Sequence, residues 1–220
     1  MKRLAALFGL TVMLTFWANA EDISQSPEES VMEGIRAIQQ VVDKYSAMPN
    51  GGDQNREAFM EEVAGVLEPL VGYTVIVSRI MGDTLEQATP QQRQRFLATF
   101  KRSLVNTYAG GLYNLGSFEV RLLNDQKTED DTVRNTRVYL EVVSPQGQRY
   151  PMVQSLYYSQ AAEGWRMQNV IFNGINLGVT FRTQFQQLLR ENQGDLDATI
   201  AAWEGMTAQT FEEEEFIGEE

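Results

Sequence analysis

The chain changes its hydrophobic period twice, and the order of those changes limits the folds open to it. In the first half, apolar residues recur every three or four positions. They do so through Val31, Ile35, Ile38, Val42 and Tyr45, through Phe59, Val63, Val66 and Leu70, and through Phe96, Phe100, Leu104 and Tyr108. Each series is one apolar stripe on a helix. After Gly116 the period falls to two. Phe118, Val120 and Leu122 alternate with polar residues, as do Val138, Leu140 and Val142. Met152, Leu156 and Tyr158 fall on one face of the next run, and Trp165, Met167 and Ile171 on one face of the last. From Leu177 the helical spacing returns through Phe181, Phe185 and Leu188. Helices, then strands, then helices is the signature of an α+β fold. The expectation is an antiparallel meander of about four strands, faced by amphipathic helices.

Local signals bound these elements. Ser26-Pro27-Glu28-Glu29 and Thr89-Pro90-Gln91-Gln92 are capping boxes with Pro at the first helical position. Pro49-Asn50-Gly51-Gly52 reads as a loop, Asp53 as the cap of the next helix, and Pro69 as its end. The run from Val71 to Gly82 fits either a strand, through Thr74-Val75-Ile76-Val77, or a helix. The helix is preferred, with Tyr73, Val77 and Ile80 on one face and Gly82 as the stop. Ala109-Gly110-Gly111 should weaken or end the long third helix. Asn124 to Asp131 reads as a solvated hairpin tip, and Pro145-Gln146-Gly147 as a turn. Asp195 should cap a last helix that turns Leu196, Ile200 and Trp203 inward. The segment from Asn169 to Phe185 joins the last strand to a helix through Asn173-Gly174-Ile175-Asn176, a corner with no nucleophile or base.

Residues 1–20 read as a cleaved signal peptide. Lys2 and Arg3 precede an apolar stretch from Leu4 to Trp17, and Ala18-Asn19-Ala20 fits a small-x-small cleavage site. The stretch is short for a membrane span, which needs about 20 residues. Residues 21–205 then form a single domain, and the acidic residues 206–220 a disordered tail. Losing Lys2 and Arg3 moves the net charge from −12 to −14. That charge argues against nucleic acid as a partner and against adsorption to anionic lipid headgroups. The chain has no His and no Cys, which excludes Cys nucleophiles, Ser–His pairs, His bases and ordinary zinc sites.

The apolar supply is generous for one domain. Two readings of it stand side by side: a thick ordinary core, and a cavity for an apolar ligand walled by helices and sheet. Charged candidates are fewer. Glu28-Glu29 and Glu61-Glu62 fall on polar helix faces, and Asp130-Asp131 lacks the spacing of a calcium loop. Arg79, Arg149 and Arg182 are suited to a phosphate, though each also reads as a plain surface charge.

The C-terminal third carries a more specific pattern. Trp165-Arg-Met-Gln-Asn-Val170-Ile-Phe-Asn-Gly174-Ile-Asn-Leu177, then Phe181-Arg-Thr-Gln-Phe185, then Gly194-Asp195-Leu196 resembles the MlaC family, also called the toluene-tolerance auxiliary transport family. Ala88 to Tyr108 resembles that family's Ala-Thr-x-x-Gln-Arg helix, so the likeness covers nearly the whole chain after residue 20. Asn169 stands where the family usually has Asp, and Asn176 where it has Ser. The resemblance implies a periplasmic carrier of phospholipid. It would work as a monomer, shuttling lipid between an outer-membrane lipoprotein complex and an inner-membrane ABC transporter complex (MlaA-like and MlaD-like), with no enzymatic step and no cofactor. It also implies a twisted antiparallel sheet of about four strands wrapped by amphipathic helices, enclosing a deep apolar pocket for acyl tails, with Arg79, Arg149 and Arg182 as headgroup candidates. The inward positions expected to line it are Tyr73 and Val77, Phe100 and Leu104, Val120, Leu140, Met152 and Leu156, Met167 and Ile171, and Leu177, Phe181 and Phe185. The competing readings are a chaperone-like module for apolar polypeptide and an enzyme with a buried carboxylate base.

Overall fold

The computed structural model describes residues 25–48, 53–115, 118–123, 131–132 and 134–207. The expected signal peptide, most of the hairpin tip and residues 208–220 lie outside them. The elements in order are α1 (Pro27–Ser46), α2 (Asp53–Leu67), α3 (Tyr73–Met81), α4 (Thr84–Gln87), α5 (Pro90–Leu115), β1 (Glu119–Leu122), β2 (Asn135–Val143), β3 (Arg149–Ser159), β4 (Gly164–Phe172), β5 (Ile175–Asn176), α6 (Leu177–Glu191) and α7 (Leu196–Thr207). Helix α7 therefore takes in the first two residues assigned from sequence to the tail. Among the described residues no helix is long and apolar enough to cross a membrane.

The capping chemistry works as the sequence leads one to expect. Ser26 Oγ accepts from the Glu29 amide, and the Glu29 carboxylate accepts from the Ser26 amide. Thr89 and Gln92 make the same reciprocal pair before α5. The ambiguous run 71–82 is a helix, because Ile76, Val77, Ile80 and Met81 all bury against neighbouring helices. Gly82, at φ +54°, ends it. The expected break at Ala109-Gly110-Gly111 does not occur, and α5 runs on to Leu115. Packing overrides propensity here. Ala109 is buried in the core with α1 and α2, and a Cβ on Gly110 would sit 3.1 Å from the Arg56 guanidinium. Burial of Ala109 against α1 and α2 carries the helix through these glycines.

The sheet is an open antiparallel meander in the order β1-β2-β3-β4-β5. It has five strands rather than about four. The extra one arises because Asn173 and Gly174 both take positive φ, +47° and +84°, between the paired residues Phe172 and Ile175. That is a two-residue hairpin with the Asn-Gly sequence such turns favour.

Directly paired residues share a face. Thr136, Val138, Leu140 and Val142 of β2 are all buried and define an inner face. Their partners Leu156, Gln154, Met152 and Tyr150 carry it onto β3. A bulge between Ser155 and Leu156 then changes the parity of β4. Leu156 pairs with Met167, and Tyr158 with Trp165, so those two face inward. Beyond the bulge Met152 pairs with Phe172 and Gln154 with Val170. Ile171, expected on the face of Trp165 and Met167, instead pairs with Val153 and points to the outer face. Val170 and Phe172 take its place inside.

Three apolar cores result. The largest joins α3, α5, α6 and α7 around Phe96, Phe100, Phe185 and Trp203. A second joins α1, α2 and α5 around Phe59 and Val63. The third packs Val31 of α1 on Val138, Leu140, Leu156 and Trp165 of the sheet. Tyr73 belongs to the first. Burial, with the Glu68 charge beside it, pushes its hydroxyl up to about 12, while Lys101 lies 4.8 Å over its ring and bonds Glu68. Tyr108 is shifted the same way by burial. A pKa raised in the folded state gives stability that is intact below the unfolded value of about 10. It is lost as pH rises toward the folded value. Thermal stability should therefore fall steeply between pH 10 and about 12, and Tyr73→Phe should flatten that fall when melting is followed by circular dichroism. An unchanged slope would remove Tyr73 as a cause.

Candidate functional site

Helix α1 lies along the inner face of β1 and β2. It is pinned at both ends. Trp165 Nε1 donates to the Gln25 carbonyl at 2.9 Å, and Gln39 Nε2 to the Phe118 carbonyl at 2.9 Å. On the other flank, α3 and α6 pack against β4. Between these flanks runs β3, the central strand, paired with β2 and β4. Val31 of α1 packs on its Leu156, and the rest of its inner face is less deeply buried.

Burial follows that geometry. On the inner face of β3, Leu156 is buried, but Tyr150, Met152 and Gln154 are only half-buried. Val120 on β1 and Val170 and Phe172 on β4 are half-buried as well. A sheet face turned toward helices would ordinarily bury such residues fully. On the helical side, Ile35 of α1, Leu104 and Tyr108 of α5 and Leu67 of α2 are half-buried fringes of the three cores.

The candidates taken from sequence fall into two groups. Tyr73, Val77, Phe100, Leu104, Met167, Leu177, Phe181 and Phe185 gather in or against the first core. Val120, Leu140, Met152 and Leu156 gather in or against the third. Phe100, Phe185 and Leu140 are 0–1 % exposed, so their surfaces are already satisfied by protein. Leu104, Val120, Met152, Met167 and Leu177 keep apolar area to offer a ligand. Val170 and Phe172, which simple alternation misses, belong with them. The three arginines do not converge. Arg79 on α3 donates to Gln168 Oε1 at 2.6 Å. Arg149 lies on the outer face, 3.5 Å from Glu141. Arg182 on α6 lies against Gly82. A cavity of about 260 Å³ beside α1 is lined by Gln39, Val42, Asp43 and Phe118. It is below the usual ligand-pocket range of about 300–1,000 Å³ and half its lining is polar, so it does not suit acyl tails.

The strand-to-helix corner is held by two asparagines. Asn176 caps α6, its Oδ1 accepting from the Val179 amide at 3.2 Å and from Asn169 Nδ2 at 3.1 Å. Asn169 Oδ1 accepts from the Gly178 amide at 2.9 Å. An amide side chain at 169 can do both at once. A Cβ on Gly178 would come within 2.6 Å of that oxygen. Gly178→Ala should therefore cost about 1–3 kcal/mol, read as a lower urea midpoint at unchanged slope. A midpoint within error of the parent would show the corner to be yielding.

Comparison with known proteins fits this arrangement. Residues 36–205 match the family model for MlaC protein. The chain belongs to the MlaC family. Among relatives, it is 32 % identical over 206 residues to the toluene tolerance protein ttg2D of Pseudomonas putida, covering 91 % of this chain and 90 % of that one. In three dimensions it resembles the phospholipid-binding protein from Ralstonia solanacearum, solved in complex with a phospholipid. The TM-score is 0.71 at 20 % identity, over 84 % of this chain and 98 % of the other. At that identity the likeness shows that the two chains share a fold.

Proposed function

We propose that this MlaC-family chain is a periplasmic phospholipid carrier that binds acyl tails on the inner face of the sheet. On this reading it moves lipid between transport complexes in the outer and inner membranes, and so maintains outer-membrane lipid asymmetry. The observation that carries the reading is the central strand β3. Val31 of α1 reaches only Leu156 among its buried residues, and its inward residues Tyr150, Met152 and Gln154 stay half-buried. Tails would lie across Met152, Val120, Val170 and Phe172, beneath Leu104 and Ile35. The phospholipid bound by the Ralstonia solanacearum protein of the same fold supports the ligand class. The signal-peptide pattern at 1–20 supports export, with residues 21–205 as the carrier domain.

Energetics favour hand-over by contact. Burying a methylene gains about 0.8 kcal/mol. Two chains of roughly fifteen carbons then gross over about 20 kcal/mol, near the ceiling for non-covalent affinity before costs are subtracted. Even a fraction of that makes spontaneous release slow. Native mass spectrometry of the protein purified without detergent should show a mass increment of one phospholipid, with phospholipid in the solvent extract. A protein that is empty, and stays empty after delipidation and incubation with phospholipid vesicles, would overturn the reading. A bound peptide would point to the chaperone-like module instead.

A further inference from the structure

Sulfur chemistry on this chain falls to methionine. There is no cysteine, so the thioether is the sulfur a two-electron oxidant meets. The methionines whose side chains are described differ in their surroundings. Met81 is 2 % exposed in the first core and closed to any reagent. Met48, just after α1, is 38 % exposed. Met60 and Met167 are half-buried fringes of the second and first cores. Met32 and Met152 are half-buried against the third core, one from α1 and one from β3. Met152 is set apart by its neighbours. It pairs with Leu140 on one side and Phe172 on the other, on the face proposed for acyl tails. Gln154, two residues along the same face of β3, donates from Nε2 to the Met152 sulfur at 3.6 Å. A thioether is a weak acceptor, so this bond gains little in the reduced side chain. A sulfoxide oxygen on the same sulfur is a far better acceptor. The strand therefore holds a donor beside the one group that oxidation would make polar.

We propose that Met152 is an oxidation site at which a peroxide switches lipid binding off. With hydrogen peroxide, a sulfur lone pair attacks one peroxide oxygen. The S–O bond forms as the O–O bond breaks, and the sulfur gives up two electrons. The departing hydroxide takes the remaining proton and leaves as water. The product is a sulfoxide, polar where the thioether was apolar. Gln154 satisfies its oxygen from within the strand, so the fold stands. An acyl tail laid across it offers no hydrogen bond and must strip its water. Bound tails in turn cover the sulfur, so the reaction selects molecules without lipid. A methionine sulfoxide reductase reverses it. The inference rests on the carrier reading, since acyl tails are what the sulfoxide excludes.

The test is a hydrogen peroxide titration of the whole protein, loaded and delipidated, with oxidised sites mapped by peptide mass spectrometry. In the delipidated protein Met152 should oxidise roughly tenfold or more faster than Met81, and faster by a similar factor than Met152 in the loaded protein. Circular dichroism should show the oxidised fold intact. Its uptake from vesicles of phosphatidylethanolamine and phosphatidylglycerol, read by native mass spectrometry, should need roughly tenfold or more lipid. Treatment with the reductase should restore it. Met152→Leu, whatever its own starting level, should take up the same amount before and after peroxide. Met48→Leu should lose uptake as the parent does. Should Met152→Leu bind no lipid, the half-oxidised parent decides the point, since sulfoxide at 152 should gather in its empty fraction. Equal oxidation of Met152 in loaded and delipidated protein, undiminished uptake by the oxidised parent, or a peroxide effect that persists in Met152→Leu would overturn the switch. A parent that takes up no lipid before any peroxide is added would instead overturn the carrier reading.

Discussion

Met152→Asp should purify folded and empty. Met152 lies on the inner face of β3, opposite Leu140 and Phe172, yet is only half-buried. In the unloaded protein a carboxylate there reaches water, so unfolding stability should change by no more than about 1 kcal/mol. Once tails cover the strand, the same carboxylate must lose its water or take up a proton, and either is costly. A penalty of only about 3 kcal/mol weakens affinity more than a hundredfold. Native mass spectrometry reads the load and circular dichroism the fold. A folded variant that still carries a full complement of phospholipid would remove the inner face of β3 from the binding site.

Phe185→Ala should do the reverse. Phe185 is 0 % exposed, with its ring centroid 4.9 Å from that of Phe96 and 6.5 Å from that of Trp203. Its truncation leaves a cavity among four helices and should cost about 3–5 kcal/mol. In a domain of this size that lowers Tm by roughly 10 °C. The molecules that remain folded should hold as much phospholipid as the parent, because this core backs the site without facing it. Loss of lipid in parallel with unchanged Tm would instead place Phe185 on the ligand. Together the two variants separate apolar residues that hold the protein together from those left for a ligand, which periodicity alone cannot do.

Much of the architecture is legible in the chain because it rests on local chemistry. Capping boxes at Ser26 and Thr89 place two helix starts, and alternation through Val138, Leu140 and Val142 places the buried face of β2. The failures share a cause, since each depends on something distant in sequence. Gly110 stays helical because α2 packs there. Ile171 points outward because one extra residue, Gln168, sits in the β3–β4 register, and no run of alternation announces a bulge. The short strand β5 is different. Asn173-Gly174 is a hairpin signal in its own right, visible in the sequence but read only as a corner. The half-burial of Tyr150, Met152 and Gln154 on β3 was not legible at all, because the same positions fill a core or line a gap according to how closely the helices approach.

The rim of the sheet shapes the behaviour of an unloaded molecule in a crowded compartment. Met167 exchanges backbone hydrogen bonds with Leu70 and Gly72, both at 2.8 Å, and β5 folds back on Ile171 and Phe172. Much of the free side of β4 is thereby occupied, leaving little template for a foreign strand. The opposite border, β1, is four residues long and carries a charged pair, Glu119 and Arg121. Both borders resist the end-on stacking that builds fibrils. On the carrier reading proposed above, a protein that is empty for part of each cycle would in this way be kept from growing into polymers of itself.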